Sequence, residues 1–430
     1  MKNETTNREK RRHRRIRNQI LAYITLIVII VLAVAAGYLG IKGIVGYVKG
    51  YNDKVNRVIE EAESSVAAEL AGENDADYEQ DTSTDSSAGG DASASIGEDP
   101  LDELIESLIN DMTTEEMVAG MFMVSPEALT GVATVVQAGD GTKTAITQKP
   151  VGGILYSAKN FKSAEQFTEM ITNTKGFSKY PIFTAVKAEC GDSTGFGIDP
   201  SGKASELTDT DSVKTAYGAI AAKLASYGVN MNMAPVAEIV AEDGDTSLQG
   251  RTFGSDATAA APLINAAVQT MQEAEVSAVL QKFPGTSVGT KTLEELKNSE
   301  FLVYDMAIKN GAECIMVSHT KASGVTGDDT PASLSSVMIS DVLRNTLGFN
   351  GVVITDYLND SAITGSYSSA DAAVAAIQAG ADVLLEPADY QEAYEGVLNA
   401  IADGTITEER IRESIYRIYR VKYQNALNEN

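Results

Sequence analysis

The sequence predicts a TIM-type (β/α)8 barrel, preceded by one transmembrane helix and a disordered acidic linker. Three observations carry this expectation. Eight short apolar runs, bounded by Gly, Pro or polar residues, recur between residues 119 and 387. Amphipathic stretches such as 211–227 and 257–274 separate most of them. A run of 22 residues without any charge, 20–41, stands ahead of them all. Strands buried on both faces read as continuous apolar runs, and their alternation with helices builds a parallel sheet. An open doubly wound sheet shares that alternation, but no G-x-G-x-x-G follows a strand to support it.

Residues 1–19 form a basic head, with eight Lys and Arg against two Glu in the first 17. The whole chain carries 34 Lys+Arg and 60 Asp+Glu, a net charge of −26, so the rest is strongly acidic. Such a body is unsuited to nucleic acid, whose phosphates are met by clusters of Lys and Arg. Residues 20–41 are rich in Ile, Leu, Val and Ala. A helix of that length rises about 33 Å, enough for a ~30 Å hydrocarbon core. The Arg-rich flank keeps the N-terminus cytoplasmic and exports the remainder of the chain, giving a single-pass protein of the cell membrane. A cleaved signal peptide is the competing reading, but its apolar region spans only about 7–15 residues. Here Gly43-Ile-Val-Gly-Tyr-Val prolongs the run instead.

Residues 42–100 connect this anchor to the barrel. The stretch 50–71 reads as a polar helix, and 72–100 holds nine acidic residues with no Lys or Arg. A segment of that composition cannot bury enough apolar surface to offset its ordering entropy, so it serves as a self-repelling tether.

Residues 101–430 are the barrel, with strands expected in 119–125, 151–157, 181–189, 229–236, 276–285, 314–320, 351–357 and 381–387. Barrel function sits at the C-terminal strand ends. Those ends carry Lys187, Glu189, Asn232, Glu238, Gln281, Lys282, Ser318, His319, Asp356 and Glu386, with Arg251 in the loop after the fourth strand. Polar groups at the mouth of an apolar scaffold suit a sugar or another polar small molecule. Cys190 follows one strand and Cys314 opens another, which puts them at opposite ends and argues against a disulfide. Two thiols without His partners make no zinc site, and no cofactor or metal is implied.

These stretches resemble glycoside hydrolase family 3, in its single-barrel β-N-acetylhexosaminidase branch. The resemblance rests on Thr113-Thr-Glu-Glu-Met-Val-Ala-Gly-Met-Phe-Met-Val, Val151-Gly-Gly-Ile-Leu with Asn160, Tyr227-Gly-Val-Asn-Met-Asn-Met-Ala-Pro-Val and Gly250-Arg-Thr-Phe-Gly. It continues through Phe283-Pro-Gly, Ile315-Met-Val-Ser-His, Pro331-Ala-Ser-Leu-Ser and Leu343-Arg-Asn-Thr-Leu-Gly-Phe-Asn-Gly-Val-Val-Ile-Thr-Asp. The family cleaves β-linked sugars with retention, through an attacking carboxylate and an acid about 5–5.5 Å away. The resemblance implies Asp356 as that nucleophile; the bland alternative is an Asp capping the next helix. It also implies substrate contacts for Arg251 and His319, the latter equally readable as a scaffold hydrogen bond.

The sequence departs from the family at four places. The third strand of the family ends Asp-Gln-Glu-Gly-Gly, with the Asp gripping sugar hydroxyls; here it ends Lys187-Ala-Glu-Cys-Gly. An acceptor has become a donor. The fifth strand reads Lys-His-Phe-Pro-Gly-His-Gly in the family, followed by an Asp-x-His loop supplying the general acid. Here Gln281-Lys282-Phe-Pro-Gly-Thr-Ser is followed by a shortened loop without His. The chain's two His are His13 and His319, so no other can be the acid. Glu294 and Glu295 open a helix and read as solvated charges. Finally, Tyr357 stands where the family has a second Asp.

The sequence supports two functional readings. One is an envelope protein acting on or binding amino-sugar or peptidoglycan-derived glycans, with the usual activity weakened or lost for want of the acid. Its mouth would then use Lys187, Lys282, Arg251, His319 and Glu189 to hold an anionic sugar, unless the Lys residues merely pair with Asp356 or Glu189. The other is an active retaining β-N-acetylhexosaminidase with Asp356 as nucleophile and an unidentified acid. No protein partner can be named; loops such as 126–150 are the candidate surface.

Overall fold

The computed structural model describes residues 100–427 apart from 191–194, 199–201, 241–247 and 249. The expected span 20–41, the helix 50–71 and the tether up to residue 99 lie outside the described residues. Among the described residues no helix is long and apolar enough to cross a membrane.

Each of the eight expected apolar runs contains a strand. These are β1 (Phe122–Val124), β2 (Gly153–Leu155), β3 (Phe183–Val186), β4 (Met231–Asn232), β5 (Ser277–Phe283), β6 (Cys314–Val317), β7 (Val352–Thr355) and β8 (Leu384–Leu385). All pair in parallel, in the order β7-β6-β5-β4-β3-β2-β1-β8. A bridge between Ile354 and Val383 joins β7 to β8, so the sheet closes on itself. Every residue of these strands is buried except Lys282, as the lack of a polar face in the runs foretold.

The helices start where the chain supplies caps. Asp209 accepts from the Ser212 amide at the head of Thr210–Ser226, and Asp256 accepts from the Thr258 and Ala259 amides at the head of Ala257–Glu273. Asn232 lengthens the short β4 by a side-chain ladder: its Oδ1 accepts from the Ala188 amide and its Nδ2 donates to the Ala188 carbonyl, both at 2.9 Å. At the start of β2, Gly152 lies so close to Gly120 that a Cβ would meet its carbonyl oxygen at 1.9 Å.

A buried charge network locks the opposite, N-terminal end. Asp382 is fully buried just before β8. It accepts from Arg344 at 2.5 Å, Arg417 at 3.1 Å, Ser414 at 2.7 Å and the Val353 amide at 2.9 Å. Arg410 lies 3.9 Å away. The network fastens the helix Glu408–Leu427 to the barrel floor. Cys190 and Cys314 are both free and buried.

Candidate active site

The site starts at the end of β3. Glu189, only 2% exposed, is held by donors from three segments. Arg251 grips it with a guanidinium fork, Nε to Oε2 at 2.6 Å and Nη2 to Oε1 at 3.0 Å. Lys187 Nζ lies 3.4 Å from Oε1, and Gln281 Nε2 donates to the same oxygen at 3.4 Å. A planar fork on a carboxylate is the strongest of these bonds. Both oxygens accept from the guanidinium. The carboxylate is a clamp for Arg251.

Asp356 stands one residue past β7 and is 8% exposed. Its amide donates to the Val317 carbonyl at 2.8 Å, continuing the ladder to β6. Oδ1 accepts from the Tyr357 amide at 3.0 Å, while Oδ2 faces Lys282 Nζ at 3.3 Å. It caps no helix. The helix after it, Ser361–Thr364, is capped by Asp360, which accepts from the Ala362 amide. Asp356 is thus a half-committed carboxylate at the barrel mouth, with a cation beside it.

His319 has both ring nitrogens committed to the scaffold. Nε2 lies 2.8 Å from the Tyr357 carbonyl oxygen and Nδ1 lies 2.7 Å from Ser333 Oγ. A carbonyl only accepts, so Nε2 carries the hydrogen. The ring therefore steadies the backbone next to Asp356.

The loop after β5 is pinned along its length. The Thr286 amide donates to Glu238, and Lys291 pairs with Glu300. Thr292 and Glu295 form a reciprocal cap at the head of Leu293–Lys297. The Thr292 amide and hydroxyl thereby hold the Glu295 carboxyl below the usual carboxylate range. Glu295 has no proton to offer at the mouth, and the Glu294 side chain, 78% exposed, points to solvent beside Lys297.

Glu386, at the end of β8, is the strand-end residue whose environment differs most from what its type suggests. Its backbone sits at φ 47°, the left-handed region that non-glycine residues rarely adopt. Ser125 Oγ donates to its Oε2 at 3.3 Å, but Oε1 is buried with no hydrogen-bond partner. Burial pushes the carboxyl up to about 7, against weaker opposing pulls from Ser125 and Lys159. The Tyr357 phenol, itself pushed up to about 12 by burial, lies in the field of Asp356, Glu386 and Glu189 together.

The fold thus brings Lys187, Glu189, Arg251, Lys282, His319 and Asp356 to one end of the barrel, in two ion-pair groups. The three cations each stand within 3.4 Å of a carboxylate, so the mouth is nearly balanced rather than broadly positive. Surface clefts of 500 Å3 near Lys223 and 450 Å3 near Lys291 lie outside this cluster. Sequence reading missed the orphaned oxygen of Glu386 and the role of Tyr357 as the anchor for His319. No local pattern announces either.

A profile of the glycosyl hydrolase family 3 N terminal domain matches residues 113–421. A beta-N-acetylglucosaminidase/beta-glucosidase of Cellulomonas fimi is 29% identical over 239 residues, which are 51% of this chain and 42% of that protein. A beta-hexosaminidase of Hydrogenovibrio crunogenus is 27% identical over 258 residues, 55% of this chain and 71% of that one. Among solved structures, a family 3 beta-N-acetylglucosaminidase of Paenibacillus sp. str. FPU-7 superposes with a TM-score of 0.68 at 28% identity, covering 74% of this chain and 63% of that one. The chain therefore spans 42% of the Cellulomonas relative and 63% of the Paenibacillus structure. A profile match over most of the sequence, on a closed parallel barrel that superposes on such an enzyme, means that this β-N-acetylhexosaminidase-like chain belongs to glycosyl hydrolase family 3.

Proposed function

We propose that this protein is a membrane-anchored, extracytoplasmic glycosidase of amino-sugar glycans in the cell envelope, weakened on natural substrates. The observation that carries it is Asp356: a buried carboxylate at the end of β7, oriented by the Tyr357 amide and Lys282. In this reading Asp356 attacks the anomeric carbon and forms a covalent glycosyl ester, as retaining enzymes do. Arg251, fixed by Glu189, is placed to meet sugar hydroxyls or a carboxylate. The His-bearing acid loop of the family is absent from the sequence, and loss of a general acid typically removes about 10²–10⁴-fold of rate. The uncharged run 20–41 behind an Arg-rich head supports the anchor and its orientation.

One observation favours the alternative of a barrel that binds glycans without cleaving them. Lys282 stands close enough to Asp356 to compete with an anomeric centre for Oδ2. The test is turnover of a dinitrophenyl β-N-acetylglucosaminide, whose leaving group departs without a proton, by the full-length protein and by Asp356→Asn. Turnover lost in the variant supports the hydrolase; equal rates leave the binding reading.

A further inference from the structure

Once the proton-donating His is missing, a retaining mechanism needs another protonated group beside Asp356. Glu189 is excluded because Arg251, Lys187 and Gln281 all donate to it. Glu295 is spent on its helix cap. At the end of β8 the situation is the reverse.

Glu386 Oε1 is buried and accepts from nothing, while the carboxyl's donors all come from Ser125, its hydroxyl at 3.3 Å from Oε2 and its backbone. An orphaned buried carboxylate oxygen is expensive as an anion and tolerable as a hydroxyl. The charged groups facing it do not relieve it. Lys159, after β2, is paired with Glu127 Oε2 at 3.4 Å, and Glu127 itself repels a charge on Glu386. Lys282 belongs to Asp356. Tyr357 contributes a phenol that burial keeps neutral.

Position agrees with protonation. The segment 354–358 runs beside 383–385: Ile354 bridges Val383, the Leu385 amide donates to Thr355 Oγ1 at 3.0 Å, and the Leu358 amide donates to the Leu385 carbonyl at 2.9 Å. Asp356 and Glu386 therefore end neighbouring strands. Both carboxylates act on the phenol of Tyr357, the residue that follows Asp356. The left-handed backbone at Glu386 is the strained kind that recurs at functional positions.

We propose that Glu386 is the proton donor of this barrel, protonating the departing glycosidic oxygen as Asp356 attacks the anomeric carbon. This rests on the hydrolase reading above, and it substitutes Glu386 for the missing His, so the rate loss given there is offset to the extent that Glu386 donates. In the first step the bond from the anomeric carbon to the leaving oxygen breaks, the proton of Glu386 leaves with the alcohol, and the sugar is esterified to Asp356. In the second, the Glu386 carboxylate takes a proton from water, which attacks the same carbon and frees Asp356.

The test compares wild type with Glu386→Gln on two aryl β-N-acetylglucosaminides, dinitrophenyl and methoxyphenyl. The expected loss in kcat/KM is about 100-fold or more for methoxyphenyl and less than about tenfold for dinitrophenyl. With dinitrophenyl, kcat falls and a burst appears, because deglycosylation lacks its base; azide restores turnover. The methoxyphenyl rate of the wild type falls as pH rises through about 7, and that limb disappears in the variant. Equal losses on both substrates, or none, overturn the assignment. If Asp356→Asn matches wild type on dinitrophenyl, the hydrolase reading itself has failed, and the donor role falls with it. Thermal stability gives an independent readout of the carboxyl. The unfolded chain releases this proton near pH 4.3 and the folded one near 7, so wild type weakens across that window relative to Glu386→Gln. No such difference means that Glu386 is not neutral, which also overturns the assignment.

Discussion

Lys282 Nζ stands 3.3 Å from Asp356 Oδ2, tying the end of β5 to the end of β7 across β6. The Lys282 side chain is 30% exposed and that of Asp356 11%, so the pair is neither a screened surface contact nor a dry one. Lys282 either aims Asp356 for the proposed attack or occupies it. Aiming is the expected role, since Oδ1 is already fixed by the Tyr357 amide. Lys282→Gln should lower kcat/KM for the dinitrophenyl glycoside about 100-fold, the scale of losing one electrostatic contact at a reacting centre. An increase in steady-state rate would show that Lys282 blocks Asp356.

The Arg251–Glu189 fork is the stronger pair, and its partners are 16% and 2% exposed. Arg251→Ala leaves a buried carboxylate short of its main donor. The expected destabilisation is about 3 kcal/mol, read by denaturant titration. Lys187→Ala removes a contact made by a side chain that is 36% exposed, and a change of about 0.5 kcal/mol or less is expected. Equal effects from the two variants would mean that Glu189 is not organised by Arg251.

At the barrel floor, burial pushes the Asp382 carboxyl up, and Arg344, Arg417 and Arg410 more than offset this, holding it below the usual range. A depressed carboxylate stabilises the fold above its unfolded value, near pH 3.9, and that contribution is lost as pH falls through the folded one. Asp382→Asn should destabilise the barrel by about 3–5 kcal/mol and flatten the acid limb of stability against pH. The measurement is a set of urea midpoints from neutral pH down into the acid limb.

Lys422 presents the opposite sign. Its Nζ is buried without a hydrogen-bond partner, 4.7 Å from the Phe183 ring and 4.9 Å from that of Tyr419. The rings favour the cation, but burial outweighs them and pushes the amine down to about 7. The unfolded chain then binds more protons between about pH 7 and 10.4, so stability rises with pH over that window. Lys422→Met should raise Tm at neutral pH and abolish the slope. A Tm that falls would show that the amine is satisfied where it sits.

The barrel was legible because strands covered on both faces leave short apolar runs bounded by Gly, Pro or polar residues. All eight runs hold strands, though the paired cores are shorter, down to the two residues of Met231–Asn232. There, side chains such as that of Asn232 take over from the ladder. The mouth residues were legible as strand ends, but their pairings were not. Glu189 and Arg251 lie 62 residues apart, and Lys282 meets Asp356 through a turn of the barrel that no local pattern encodes. The Asp382 network draws its Arg residues from two distant helices for the same reason. The cap of Ser361–Thr364 falls on Asp360, whereas the sequence alone allows Asp356 that role.

The most direct test is the dinitrophenyl β-N-acetylglucosaminide assay on the full-length protein in detergent, wild type against Asp356→Asn, with mass spectrometry of the quenched enzyme. The expected result is turnover that disappears in the variant, and a wild-type peptide containing Asp356 that carries the mass of one sugar. Turnover equal in both proteins, with no sugar on that peptide, would contradict Asp356 as the nucleophile of this barrel.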